Sequence, residues 1–170
     1  MKTRTLVFTA IFASLSAVIS PLSIPIGAVP INFVHIPIFI SGAVLGAKFG
    51  AISQVIFILL GVIGMPVFGG FNSGPAILLG PTGGFILSYI VCSFLVGWFS
   101  RKNNVMTILA MFLGLLVTYT MGTLWFMFIT RNSLIVSLSV TVFPFLVGDF
   151  FKVIISFLII NRIITKIDFI

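Results

Sequence analysis

Charged side chains are absent between Arg4 and Lys48 and again between Lys48 and Arg101, and prolines and glycines cut these apolar runs into helix-sized pieces. The pattern predicts a first helix over about residues 5–20, stopped by Pro21, and then an uncharged loop, 21–34, with Pro21, Pro25 and Pro30. A second helix follows over about 37–47, with Pro37 in its first turn, and a tight turn at Lys48, Phe49 and Gly50 leads into a third over 51–64. Residues 64–84 are rich in glycine and proline, and their apolar positions keep no helical period. Helix four is expected over 84–100, helix five over 105–130 ending at Arg131, and helix six over 145–163. Residues 134–143 either open helix six or form a short interfacial helix.

Composition says what surrounds these helices. Hydrophobic residues make up 60% of the 170-residue chain and charged residues only 6%, against roughly 25% charged in a soluble domain. Lipid is the surface that replaces the missing charge. Six spans of about 20 residues would use most of the chain. The expected architecture is therefore all-α, a polytopic membrane protein with a six-helix bundle and irregular outer loops, forming one domain over residues 1–170. Lys2 and Arg4 before an apolar stretch resemble a signal peptide. Because Ala10, Ala13 and Ala17 lie within the helical run and further spans follow, that stretch is read as a retained first helix.

The net charge of +7 is scattered singly or in pairs, not gathered into a stripe, so nucleic-acid binding is not expected. It reads as an orientation signal. Both termini inside would put Lys2, Arg4, Lys48, Arg101, Lys102, Arg162 and Lys166 inside and leave Arg131 outside. The loops then assigned outside, 21–34, 65–81 and 132–144, are the irregular ones. Non-helical backbone at membrane depth must be buried in protein or line a cavity, so a ligand is expected to enter there. Cys92 and His35 are each single, which excludes a disulfide framework and a metal centre; His35 is read as an interfacial residue.

Asp149 and Lys152 are the acid and base set together in a predicted span, three residues apart and on one helix face. Each costs about 2.5–3.5 kcal/mol at mid-bilayer on the insertion scale. They form either a self-satisfied ion pair that locks packing or a carboxylate for a polar ligand, kept ionised by the lysine. In GMPVFGGFNSGPAILLGPTGGF, residues 64–85, glycines such as Gly83 and Gly84 let backbone approach a ligand, while Asn72, Ser73 and Thr82 offer neutral hydrogen-bonding groups. The alternative is a tightly packed re-entrant turn. Phe68, Phe71, Phe85 and Tyr89 are candidates for an aromatic wall, with Tyr89 favoured because its hydroxyl needs a partner. Ser73 as a nucleophile lacks the usual preceding glycine, and His35 lies on the wrong side of it in the chain. Thr9, Ala13 and Ala17 form a small-residue ridge for close helix approach, within the bundle or to a partner subunit.

The run of residues 42–46 (GAVLG), 61–68 (GVIGMPVF), 80–85 (GPTGGF) and 144–152 (PFLVGDFFK), in this order across nearly the whole chain, resembles the BioY family, the biotin-specific substrate-binding (S) components of energy-coupling factor transporters. The resemblance implies a non-enzymatic membrane subunit, without cofactor, that captures biotin from the outer face. It also implies a transmembrane coupling subunit and ATPase subunits as partners. Asp149 and Lys152 match the family's acid–base pair, with Asp149 bonding the ureido ring, and Ala13 and Ala17 fit its coupling ridge. Two positions depart from the pattern. Phe85 stands where the family often has Tyr, and Phe71, Asn72 and Ser73 interrupt a paired-glycine pattern. The rival readings are an S component for another vitamin, an intramembrane hydrolase using Ser73, and a purely structural membrane subunit.

Overall fold

The computed structural model describes residues 3–24, 29–100 and 103–166, with side chains through residue 163. Lys2, Pro25, Arg101 and Lys102, invoked above, lie outside the described residues, as does the side chain of Lys166. Among the described residues there are eight α-helices: α1 (Thr3–Ile19), α2 (His35–Leu45), α3 (Ala47–Val62), α4 (Pro75–Leu79), α5 (Gly83–Phe99), α6 (Asn104–Thr130), α7 (Leu134–Thr141) and α8 (Leu146–Lys166). Two-residue strands β1 (Ser23–Ile24) and β2 (Ile31–Asn32) pair antiparallel between α1 and α2. The described ends of the proline-rich loop thus pair as a short ribbon.

Helix lengths match the hydropathy pattern closely, two local expectations are corrected, and one open alternative is decided. The turn between α2 and α3 falls at Gly46, whose φ of 81° suits glycine, and Lys48 lies inside α3. The 64–84 segment is not wholly irregular. It holds the one-turn helix Gly69–Phe71 and the five-residue α4, with Pro75 at its start, where a missing N–H is harmless. Residues 134–141 form a separate helix bent by 46° from α8. Pro144, which cannot donate to the preceding turn, sits at the break.

α6 is, among the described residues, the helix long and apolar enough to cross a membrane unaided, and α7 with α8 passes the same test as a bent pair. α1, α2, α3 and α5 are apolar but shorter. Large apolar side chains cover the outer surface, and inside the bundle small and hydroxyl-bearing residues stand beside an apolar core. Along α6, Leu109, Leu116, Leu124 and Phe128 face outward, while Thr107, Gly114, Thr118, Gly122 and Thr123 are buried. Lipid is as apolar as leucine, so these helices associate through close packing and hydrogen bonds instead.

α5 is the central element, packed on α2, α3 and α6, and small residues permit it. A Cβ on Gly97 would overlap the backbone of Gly46 and Ala47, and one on Gly42 would overlap the Ser93 carbonyl. Beside this crossing lies a buried polar network. The Gln54 amide nitrogen donates to Ser41 (3.1 Å) and Ser53 (3.0 Å), Ser16 donates to its oxygen (3.3 Å), and Ser41 and Ser93 share a bond of 3.1 Å. α1, α2, α3 and α5 are thereby tied together at one buried node.

Gly97→Val forces the α2–α3 junction off α5 and is expected to cost about 2 kcal/mol or more, the scale of overpacking. Gly148, with open space where a Cβ would sit, serves as control: Gly148→Ala should leave the melting temperature unchanged or slightly raised. Thermal unfolding of both variants in detergent measures the contrast.

Candidate ligand-binding site

A cavity of about 550 Å³ opens among the ends of the helices, within the range of roughly 300–1,000 Å³ typical of small-ligand sites. It is lined by the end of α1, the β1–β2 ribbon, the start of α2, the turn after α3, the first half of α5, α6, and the α7–α8 break. The segments assigned outside by charge therefore converge on one space.

Its apolar walls are seated by glycines opposite them. Phe68, 1% exposed, lies against Gly61, where any Cβ would collide with its ring. Phe57 meets the same ring edge-on at 5.9 Å. Phe85 is held in the same way over Gly122 of α6 and clusters with Val29, Phe126 and Phe145. Tyr89 is buried beside His35, their rings edge to face at 5.5 Å, and Asn32 lines the same part of the cavity.

The polar end is built on α8. The break at Pro144 starts a new helix, and the Asp149 N–H donates to the Phe145 carbonyl at 2.8 Å. Asp149 thus falls in the first turn, where the helix dipole favours an anion. Lys152, one turn on, donates to its Oδ1 at 2.6 Å, and Tyr119 of α6 donates to its Oδ2 at 2.5 Å. Asp149 and Lys152 are 2% and 4% exposed, and both line the cavity rather than the outer surface. A carboxylate offers about four lone-pair sites and an ammonium three N–H donors. With one bond on each oxygen and one lysine proton used, acceptors and donors remain for a ligand bearing both.

The sequence-expected residues divide as follows. Asp149, Lys152, Asn72, Tyr89, Phe68 and Phe85 all line the cavity. Gly83 and Gly84 do not. Their missing Cβ atoms make room for the Leu78 carbonyl and for Trp125 of α6, whose indole donates to the Gly80 carbonyl at 2.9 Å, so they serve helix packing. Phe71 points outward, 64% exposed, and Ser73 is not part of the lining. Asn72 closes the tight turn: its amide donates to Gly69 (2.7 Å) while its backbone carbonyl accepts from Phe68 (3.0 Å). The Gly70 N–H anchors that turn to the Pro21 carbonyl at 3.2 Å. In the small-residue ridge, Thr9 and Ala13 are buried in the face that α1 turns to α2 and α3, with Thr9 bonded to the Thr5 carbonyl, so neither is an open contact surface. Ala17 is half-buried.

Tyr119, His35, Asn32 and Thr118, none of them expected in the site from the sequence, also line the cavity. Tyr119 was within reach: it is one of two tyrosines, and the need of a hydroxyl for a partner in lipid applied to it as much as to Tyr89. His35, a lone histidine in the sequence, opens α2 directly after the proline-rich loop and enters the lining.

Residues 1–168 match the family model described as the BioY family. A probable biotin transporter BioY of Pyrococcus horikoshii is 35% identical over 164 residues, covering 96% of this chain and 98% of that one. The biotin transporter BioY of Thermotoga maritima is 32% identical, covering 94% and 95%. Biotin transporter BioY2 of Lactococcus lactis is 36% identical, covering 90% and 86%. A crystal structure of the S-component for biotin from an ECF-type ABC transporter superposes with a TM-score of 0.90 at 30% identity, covering 98% of this chain and 95% of that one. That is a family of membrane transport proteins, not of enzymes, and it is the family to which this chain belongs.

Proposed function

We propose that this chain captures biotin as the membrane-embedded substrate-binding subunit of an ECF-type uptake transporter. The observation that carries the reading is the buried Asp149–Lys152–Tyr119 cluster at the polar end of an aromatic cavity. Biotin's ureido ring has two N–H donors and one carbonyl acceptor. The free lone pairs of Asp149 take the N–H groups, and the remaining protons of Lys152 take the carbonyl. The sulfur-containing ring and alkyl tail suit the walls made by Phe68, Phe85 and Tyr89. Asn72, whose amide nitrogen is committed to the turn, has its Oδ1 to offer the ligand.

The ion pair thus serves binding instead of merely locking α8. A pair needed only for packing would gain nothing from facing a cavity, and a well-packed apolar replacement is often as stable. The hydrolase alternative is weakened because Ser73 stands outside the lining while His35 lies within it.

In the bilayer, six segments are embedded: α1, α2, α3, α5, α6 and the bent α7–α8. α2 is 11 residues long, roughly 16 Å, and spans only part of the depth, the ribbon completing it. Both termini face the cytoplasm. Arg4, Lys48 and Arg162 then share the inner end, opposite the cavity, and Arg131 lies at the outer end. Uptake draws on a coupling subunit and ATPase subunits supplied by other chains, and half-buried Ala17, at the edge of the bundle face of α1, is the ridge position left to contact them.

Titration calorimetry of the purified protein with biotin and a vitamin panel should show saturable biotin binding. Asp149→Asn is expected to weaken it by about tenfold or more, as a charged hydrogen bond of roughly 1.5–3 kcal/mol is lost. Tyr119→Phe, which removes the bond that orients Asp149 without removing a ligand contact, should weaken binding by about fivefold or less, short of the Asp149→Asn loss. Unchanged affinity in Asp149→Asn would return the pair to a packing role. Ala17→Leu should spare biotin binding while lowering biotin uptake by cells that supply the coupling module. Ala13→Leu, at a buried position, should instead lower the melting temperature by overpacking.

A further inference from the structure

His35 is 7% exposed, lines the cavity, and has no hydrogen-bond partner for Nδ1 or Nε2 among the described residues. A buried polar atom left without a partner is costly, and such groups in a native fold call for a reason. Packing fixes the ring's position. Tyr89 meets it edge to face at 5.5 Å and Phe39, one helical turn along α2, lies 5.8 Å away. Neither supplies an acceptor in the ring plane. The imidazole also lies within electrostatic range of both Asp149 and Lys152, so it borders the same polar end of the cavity.

We infer that His35 is a specificity-determining residue for the ligand's polar head, which it contacts through an imidazole nitrogen left unpartnered by the protein. This rests on the binding reading above and deepens it. The Asp149–Lys152 pair supplies acceptors and donors from α8, and His35 faces them from α2. A neutral imidazole carries one N–H donor and one bare acceptor nitrogen, so it can bond either the carbonyl or an N–H of a cyclic urea. Recognition from two helices constrains the ring more than recognition from one. A head lacking one of these polar groups would leave a buried atom on the protein unpaired, which is how sites built on hydrogen bonds reject close analogues. The tail carboxylate is not required for this contact.

The test uses the full-length protein in detergent, freed of any histidine tag, with biotin and biotin amide as ligands. His35→Phe should weaken binding of both by about tenfold or more, and His35→Gln, which keeps a donor and an acceptor, should recover most of that loss. A loss seen with biotin and absent with biotin amide would assign the contact to the tail and overturn the inference. So would affinity within twofold of wild type in His35→Phe. Should His35→Phe fail to fold, the wild type still decides: with a single histidine in the chain, ¹⁵N-histidine labelling gives one imidazole spectrum. Saturating biotin should shift its ring nitrogen resonances, and unmoved resonances would overturn the inference. Wild-type protein that binds no biotin would sink the proposed function as well, whereas normal wild-type binding with indifferent variants would sink the histidine assignment alone.

Discussion

The ion pair between Asp149 and Lys152 is the constraint around which this molecule is arranged. Two opposite charges placed inside an apolar bundle need partners and shelter from lipid, or the helix carrying them would not stay embedded. The fold provides both. A helix break at Pro144 puts the carboxylate in the first turn of α8, the lysine follows one turn later, and Tyr119 reaches across from α6. The pair is hidden from the outer surface and turned to the cavity. Its remaining hydrogen-bonding capacity faces that space and can pair with a ligand that both donates and accepts.

The rest of the bundle holds that cavity open at one end and closed at the other. Away from the cavity, α1, α2, α3 and α5 are drawn together by small residues and by the Gln54 network, whose donors and acceptors satisfy each other. Near the cavity the helices end in turns and short pieces that meet over the space between them. The aromatic walls depend on the same economy of side chains, because Phe68 and Phe85 lie where Gly61 and Gly122 have no Cβ. Glycine thus shapes the site mainly from behind the lining.

That distinction explains how much was legible in the sequence. Charge-free runs cut by proline and glycine located the long helices to within a few residues, since lipid imposes a minimum apolar length and few exceptions. The acid and base three residues apart pointed to the site because such groups are expensive in a membrane and face inward when present. Partners distant in the chain were harder to see. Tyr119 is separated from Asp149 by thirty residues, and nothing local in sequence marks which face of α6 turns toward α8. Gly83 and Gly84 misled for a related reason: a glycine signals close approach without saying whether a ligand or, as here, the Trp125 side chain approaches. The ridge on α1 was ambiguous in the same way, and burial of Thr9 and Ala13 assigns that part of it to the bundle.

The most direct test is a structure of the protein with biotin bound. One or both ureido nitrogens are expected at about 3 Å from the Asp149 carboxylate, with the ring between the walls formed by Phe68 and Phe85. Biotin bound elsewhere, with the carboxylate engaged by Lys152 and Tyr119 and no ligand atom within hydrogen-bonding reach, would contradict that placement.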